Sequence, residues 1–116
     1  MRMRRMRNLE PRMEKCADYR IADPAALKGN WRSLKPGCAA LWVEVGCGKG
    51  KFTAETAAAN GDVLLIAVER CREAMVVAME KAKSMELKNV FYIDMDVAQI
   101  ESIFATKRGS CIQEVQ

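Results

Sequence analysis

At 116 residues, half of them hydrophobic and 29% charged, the chain suits one globular domain that buries about two-thirds of its unfolded surface, which excludes a disordered tail or a multidomain assembly. The formal net charge of +4 resides in residues 1–20, which carry seven of the nineteen basic residues and three of the fifteen acidic ones. Histidine is absent, excluding Ser-His-Asp, Cys-His and His-ligated metal chemistry, and the five scattered cysteines form no C-x-x-C pair, which argues against a disulfide framework or a zinc site.

The opening Met1-Arg2-Met3-Arg4-Arg5-Met6-Arg7 has no apolar core behind it, so it is not a secretory signal, and no later apolar run reaches membrane-spanning length. A soluble, cytoplasmic protein in a reducing compartment is the expectation. A basic arm of this kind attracts phosphate backbones, although short charged termini are commonly just solvated. Residues 1–37 read as a largely irregular leader closed by Pro36-Gly37.

Regular structure is expected from there on. Leu41–Val45 is a short apolar run entering a glycine turn, Gly46-Cys47-Gly48-Lys49-Gly50, and Lys51–Ala59 follows as an alanine-rich helix with Phe52 packed inward. Asn60-Gly61-Asp62 turns the chain into Val63–Val68, a continuous apolar run suited to a central parallel strand covered on both faces. From Cys71 to Met85, residues Ala74, Met75, Ala78, Met79, Ala82 and Met85 recur at helical spacing. A methionine stripe of that period is core packing far more often than a binding surface. Val90–Ile93 forms a third strand ending in Asp94-Met95-Asp96, and Val97–Phe104 predicts a last short helix. The fold class is therefore α/β: a partial Rossmann-like sheet of three parallel strands with flanking helices on both faces, and ligands in such sheets sit beyond the strand carboxyl ends.

Acidic residues mark those ends: Glu44 on the first strand, Glu69 after the second and Asp96 after the third. A carboxylate accepts both hydroxyls of a ribose, and the position directly after the second strand is where nucleoside-binding folds hold that sugar. The glycine turn is G-x-G-x-G rather than the G-x-G-x-x-G of a dinucleotide site, and Lys51-Phe52-Thr53 stands where a P-loop needs Gly-Lys-Ser/Thr. S-adenosylmethionine, a cation without phosphates, suits this turn better: Gly46, Gly48 and Gly50 admit its close approach and Glu44 supplies negative charge. The bland alternative is a tight strand-to-helix turn that binds nothing. Asp94 is read as a solvated or capping carboxylate, and Cys47 as a small loop residue, since no histidine base exists to activate it.

Glu44-Val45-Gly46-Cys47-Gly48-Lys49-Gly50-Lys51-Phe52, Ala67-Val68-Glu69-Arg70, the Asn89-Val90 to Asp96 segment, Met1-Arg2-Met3-Arg4 and Lys28-Gly29-Asn30-Trp31 together resemble the bacterial tRNA (guanine-N7)-methyltransferases over about residues 1–105. The resemblance implies methyl transfer from S-adenosylmethionine to guanine N7 in the variable loop of tRNA, with cofactor contacts at Glu44, Glu69 and Asp96 and tRNA held partly by Arg2, Arg4, Arg5 and Arg7. No metal and no membrane partner are expected, on the residue grounds given above. Members of that family continue into an Asp-Pro-Trp-Pro-type strand end bearing an acid essential to the site, and no such words occur here, so no catalytic residue is assigned.

Residues 106–116 diverge and show no fourth strand by pattern. The expectation is a truncated or frameshifted longer enzyme, with residues 38–105 as its S-adenosylmethionine-binding half and Leu41–Val45 left as an apolar edge open to aggregation or to a partner strand, a second copy included. Two rival readings are a class I methyltransferase of another substrate, for which the arginine arm is incidental, and a non-catalytic nucleotide-binding or interaction module.

Overall fold

The computed structural model describes residues 7–46, 48–96 and 98–99, and the backbone of residues 112–115. Asn8 precedes a short helix α1 (Leu9–Lys15), followed by three one-turn 3-10 helices at Ala17–Tyr19, Pro24–Leu27 and Trp31–Leu34. Then come β1 (Ala40–Val45), α2 (Lys51–Ala59), β2 (Val63–Val68), α3 (Arg72–Ser84), β3 (Val90–Ile93) and β4 (Ile112–Val115). The helix expected over Val97–Phe104 lies outside the described residues apart from Ala98 and Gln99.

The sheet order is β3-β2-β1-β4. β1, β2 and β3 are parallel, with Val45 opposite Val68 and Val68 opposite Ile93, so their carboxyl ends finish in line. All six residues of β2 are buried, which explains why its apolar run shows no alternation. The expectation that residues 106–116 hold no strand is corrected. Ile112–Val115 pairs antiparallel with β1, Leu41 opposite Val115 and Glu44 opposite Ile112. Four residues are too few for a period to show in sequence, but the free backbone groups along β1 supply the template. The β1 edge is therefore paired, not open.

A second correction concerns the layers. Both crossover helices pack on one face, where Ala57 of α2 and Met75, Val76, Ala78, Met79 and Ala82 of α3 meet Leu65, Ala67, Val90 and Tyr92. The strand order 1-2-3 advances in one direction, and right-handed crossovers then place successive helices on the same side. The opposite face, Leu41, Val43, Leu64, Ile66, Val68 and Ile93, is covered by Ile21 and Trp31 of the leader, with Leu27 and Leu34 beside them. Among its described residues the leader thus holds α1 and three 3-10 turns and serves as a structural layer, with Ile21 N–H donating to Tyr92 O at 2.8 Å and Arg20 bridged to Tyr92 along the outer edge of β3.

Two side chains depart from the expected pattern. Phe52 is 60% exposed, because the buried face of α2 runs through Thr53, Ala54 and Ala57 and its neighbour Phe52 lies about 100° around the helix. Met85 is 40% exposed, because α3 ends at Ser84 and the chain then turns through Glu86 in a left-handed conformation. The rest of the Ala/Met stripe is buried.

Candidate functional site

Each strand end delivers its acid differently. Val45, Val68 and Ile93 are in register, and the ladder extends one step further through Gly46 N–H to Val68 O at 2.8 Å and Glu69 N–H to Ile93 O at 3.0 Å. Glu69 therefore stands at the sheet rim immediately beside the glycine turn. Its carboxylate accepts Gly48 N–H on Oε1 at 2.8 Å and Cys71 N–H on Oε2 at 2.9 Å. One side chain thereby staples the glycine turn to the entrance of α3. Each oxygen retains acceptor capacity after these bonds, so the carboxylate is oriented and still able to take a ligand donor.

The turn itself depends on glycine geometry. Gly48 and Gly50 have φ of 56° and 82°, the left-handed region that side-chain-bearing residues avoid. At Gly50 a Cβ would stand 2.5 Å from Ala78 Cβ and 2.8 Å from Ala78 Cα, so this glycine also admits close packing of α3 behind the turn. Cys47 lies outside the described residues.

Glu44 projects from β1 to the helical face and is 3% exposed. Thr53 Oγ1 donates to its Oε1, whereas Oε2 is buried with no hydrogen-bond partner. Burial pushes its carboxyl above the usual range, and the Thr53 bond opposes that rise only in part. Its unmatched oxygen thus lies buried beneath α2, outside the residues that line the cleft beyond the strand ends, where a carboxylate lacking a donor is costly.

Asp96 is exposed, and its Oδ1 accepts Ala98 N–H at 2.9 Å, a side-chain turn that fixes the loop after β3. Gly46, Val68, Glu69, Arg70, Met95 and Asp96 together line a cleft of about 370 Å3 beyond the carboxyl ends of the parallel strands. Of the six expected cofactor residues, Gly46, Glu69 and Asp96 border that cleft, Gly48 is bonded to Glu69, Gly50 seats the turn on α3, and Glu44 lies buried beneath α2. Sequence reasoning missed Arg70, Met95 and Thr53. Their adjacency to Glu69, Asp96 and the first turn of α2 is the signal that was present.

The reading of Asp94 as solvated or capping is corrected. Arg20 grips it through Nε and Nη2, both at 3.2 Å, and Arg72 Nε lies 3.6 Å away. Of the arginines expected to meet tRNA, Arg7 is exposed and Arg2, Arg4 and Arg5 lie outside the described residues. Among the described residues no group of three or more Cys, Asp or Glu could hold a metal ion, and no helix is long and apolar enough to cross a membrane.

A family model described as "Putative methyltransferase" matches residues 38–113. A tRNA (guanine-N(7)-)-methyltransferase of Halalkalibacterium halodurans is 39% identical over 88 residues, covering 76% of this chain and 40% of that protein. The like-named protein of Bacillus subtilis is 32% identical over 104 residues, covering 90% and 49%. The chain thus spans about half the length of the curated relatives it matches. Among solved structures, the antibiotic-resistance methyltransferase Kmr superposes with a TM-score of 0.51 at 23% identity, over 60% of this chain and 38% of that one, a likeness of fold.

Proposed function

Because the chain belongs to the methyltransferase family matched over residues 38–113, we propose that its cleft holds S-adenosylmethionine and that it forms the cofactor-binding half of a tRNA (guanine-N7)-methyltransferase. The observation that carries this reading is the Glu69 staple: a carboxylate fixed by Gly48 and Cys71 amides, in one cleft with Gly46 and Asp96. The names of the relatives and the in-register strand ends support it.

The residues present fit the cofactor. Glu69, held at the rim of β2, would take the ribose hydroxyls, and Asp96 faces it from the loop after β3. Gly46, Gly48 and Gly50 leave the turn without side chains, so the ligand meets backbone there. Glu44 contributes its buried charge from beneath. When bound, S-adenosylmethionine supplies a methyl group on a sulfonium. Guanine N7 presents an unprotonated lone pair, so this half of the site has to orient and to stabilise charge and needs no strong base. The absence of histidine from the chain is consistent with that demand. The basic leader, with Arg7 exposed and Arg2, Arg4 and Arg5 ahead of it, is read as contacting the tRNA backbone in the cytoplasm.

Calorimetry with S-adenosylmethionine tests the reading. Wild type should bind, Asp96→Asn should bind more weakly, and Glu69→Ala should lose binding because ligand contact and turn anchor vanish together. No heat from the wild-type chain under conditions where it is folded would overturn the cofactor assignment. Binding to tRNA that weakens steeply as salt rises, and that falls on removal of Arg2, Arg4, Arg5 and Arg7, would support the substrate class. Salt-insensitive or absent tRNA binding would favour another methyl acceptor.

A further inference from the structure

Asp94 is the direct register counterpart of Glu69: each follows the last residue of its strand, and Val68 pairs with Ile93. Yet Asp94 does not face the cleft, which Met95 and Asp96 line instead. Its carboxylate is 18% exposed and is held from behind by two cations on different elements. Arg20, in the leader, makes the bidentate contact, the geometry in which a guanidinium fixes direction as well as charge. Arg72, the first residue of α3, is within ion-pair range at 3.6 Å and reaches on to Glu10 of α1 at 2.9 Å.

These anchors stand one or two residues along the chain from groups that shape the cleft. Arg72 directly follows Cys71, whose amide orients Glu69. Asp94 lies two residues before Asp96. Arg20 is in turn fixed by its bridge to Tyr92, with Ile21 beside it buried. We infer that the Arg20–Asp94–Arg72 cluster is a positioning device: the leader, through Arg20, sets the placement of Asp96 relative to Glu69 and so governs cofactor affinity without touching the ligand. This rests on the reading of the cleft as the S-adenosylmethionine site. Ligand affinity responds to such supporting contacts because a small displacement of a fixed donor or acceptor forfeits its hydrogen bond.

A control is built into the same leader. Arg12 pairs with Glu80 in the middle of α3, away from the cleft-lining residues. Arg12→Gln therefore removes a comparable leader ion pair without altering the cleft. Affinity for S-adenosylmethionine by calorimetry, and backbone amide exchange without ligand, are measured on the whole chain for wild type, Arg20→Gln, Arg20→Lys, Asp94→Asn, the Arg20→Gln/Asp94→Asn double variant and Arg12→Gln. Arg20→Gln and Asp94→Asn are each expected to weaken binding about tenfold and, combined, to weaken it no further than either alone. Arg20→Lys should recover part of the loss, and Arg12→Gln should bind as wild type does. Exchange should quicken at the Glu69, Cys71 and Ala98 amides in Arg20→Gln and stay unchanged there in Arg12→Gln.

Equal effects of Arg20→Gln and Arg12→Gln on affinity, or independent effects of Arg20→Gln and Asp94→Asn, would overturn the inference. If wild type fails to bind the cofactor, the cofactor reading falls by itself, and the exchange data decide the rest. Unchanged cleft amides in Arg20→Gln then sink the positioning role, and quickened ones uphold it.

Discussion

Replacing Gly50 by alanine measures how closely the glycine turn is bound to the helix behind it. Two penalties combine. Gly50 has φ of 82°, and placing a side chain in that left-handed region costs about 1–2 kcal/mol. The new Cβ would also stand 2.5 Å from Ala78 Cβ and 2.8 Å from the Ala78 backbone, and overpacking of this kind costs about 1–3 kcal/mol more. The total, about 2–5 kcal/mol, is a large part of the 5–15 kcal/mol by which a domain is typically stable. Gly48→Ala supplies the reference: its φ is 56°, but nothing lies within 4 Å of the position its Cβ would take, so only the first penalty of about 1–2 kcal/mol applies. Urea unfolding of both variants gives the difference directly. Adding Ala78→Gly to Gly50→Ala removes the 2.5 Å contact with Ala78 Cβ but keeps the 2.8 Å one with Cα, so it should relieve part of the overpacking while costing about 1 kcal/mol of helix propensity. The reasoning fails if Gly50→Ala is no more destabilising than Gly48→Ala, or if Ala78→Gly merely adds its own cost.

Glu44→Gln should raise the melting temperature at neutral pH, because it removes a buried charge with one unmatched oxygen. The sign follows from the raised carboxyl: the folded state holds that proton more tightly than the unfolded one, so the ionised group costs stability at high pH and the cost fades as pH falls toward the ordinary value of 4.5. Melts from pH 4 to 8 should show the variant's advantage shrinking on acidification, and a variant less stable at every pH would refute the account. Glu80 behaves oppositely, since its hydrogen bond to Arg12 holds its carboxyl below the usual range. The pair's stabilisation is present above the ordinary carboxyl value and is lost as pH falls through the lowered one. Both side chains are about one-third exposed, so Arg12→Gln should cost under about 1 kcal/mol at neutral pH, a difference from wild type that acid titration should erase. Asn89→Ala should cost about 1–3 kcal/mol in urea unfolding, because the buried Asn89 amide donates to the carbonyls of Ala57, Asn60 and Val63, of which the first two keep the backbone N–H groups of Asn60 and Val63 as donors. A loss below 1 kcal/mol would mean that water replaces it.

The sequence alone determined those elements whose pattern is local. Val63–Val68 and Val90–Ile93 are legible because continuous apolar runs between turn residues leave few alternatives, and α2 and α3 because their small and apolar residues recur at helical period. The glycine turn and the acids at the strand ends were readable because a parallel sheet brings its carboxyl ends to one rim. Tertiary structure decided the pairings between distant residues. Phe52 faces solvent because Thr53 and Ala57, not it, meet the sheet. The leader covers the second face because both crossovers lie on the first, leaving Leu64, Ile66 and Val68 in need of Trp31 and Ile21. Ile112–Val115 pairs with β1 through backbone groups that no side-chain pattern advertises. Glu69 and Asp94, alike in register, part ways for the same reason: one meets the Gly48 amide in a turn 21 residues earlier, the other an arginine 74 residues earlier. The chemistry of a carboxylate is written in its own residue, and its partner is chosen by the fold.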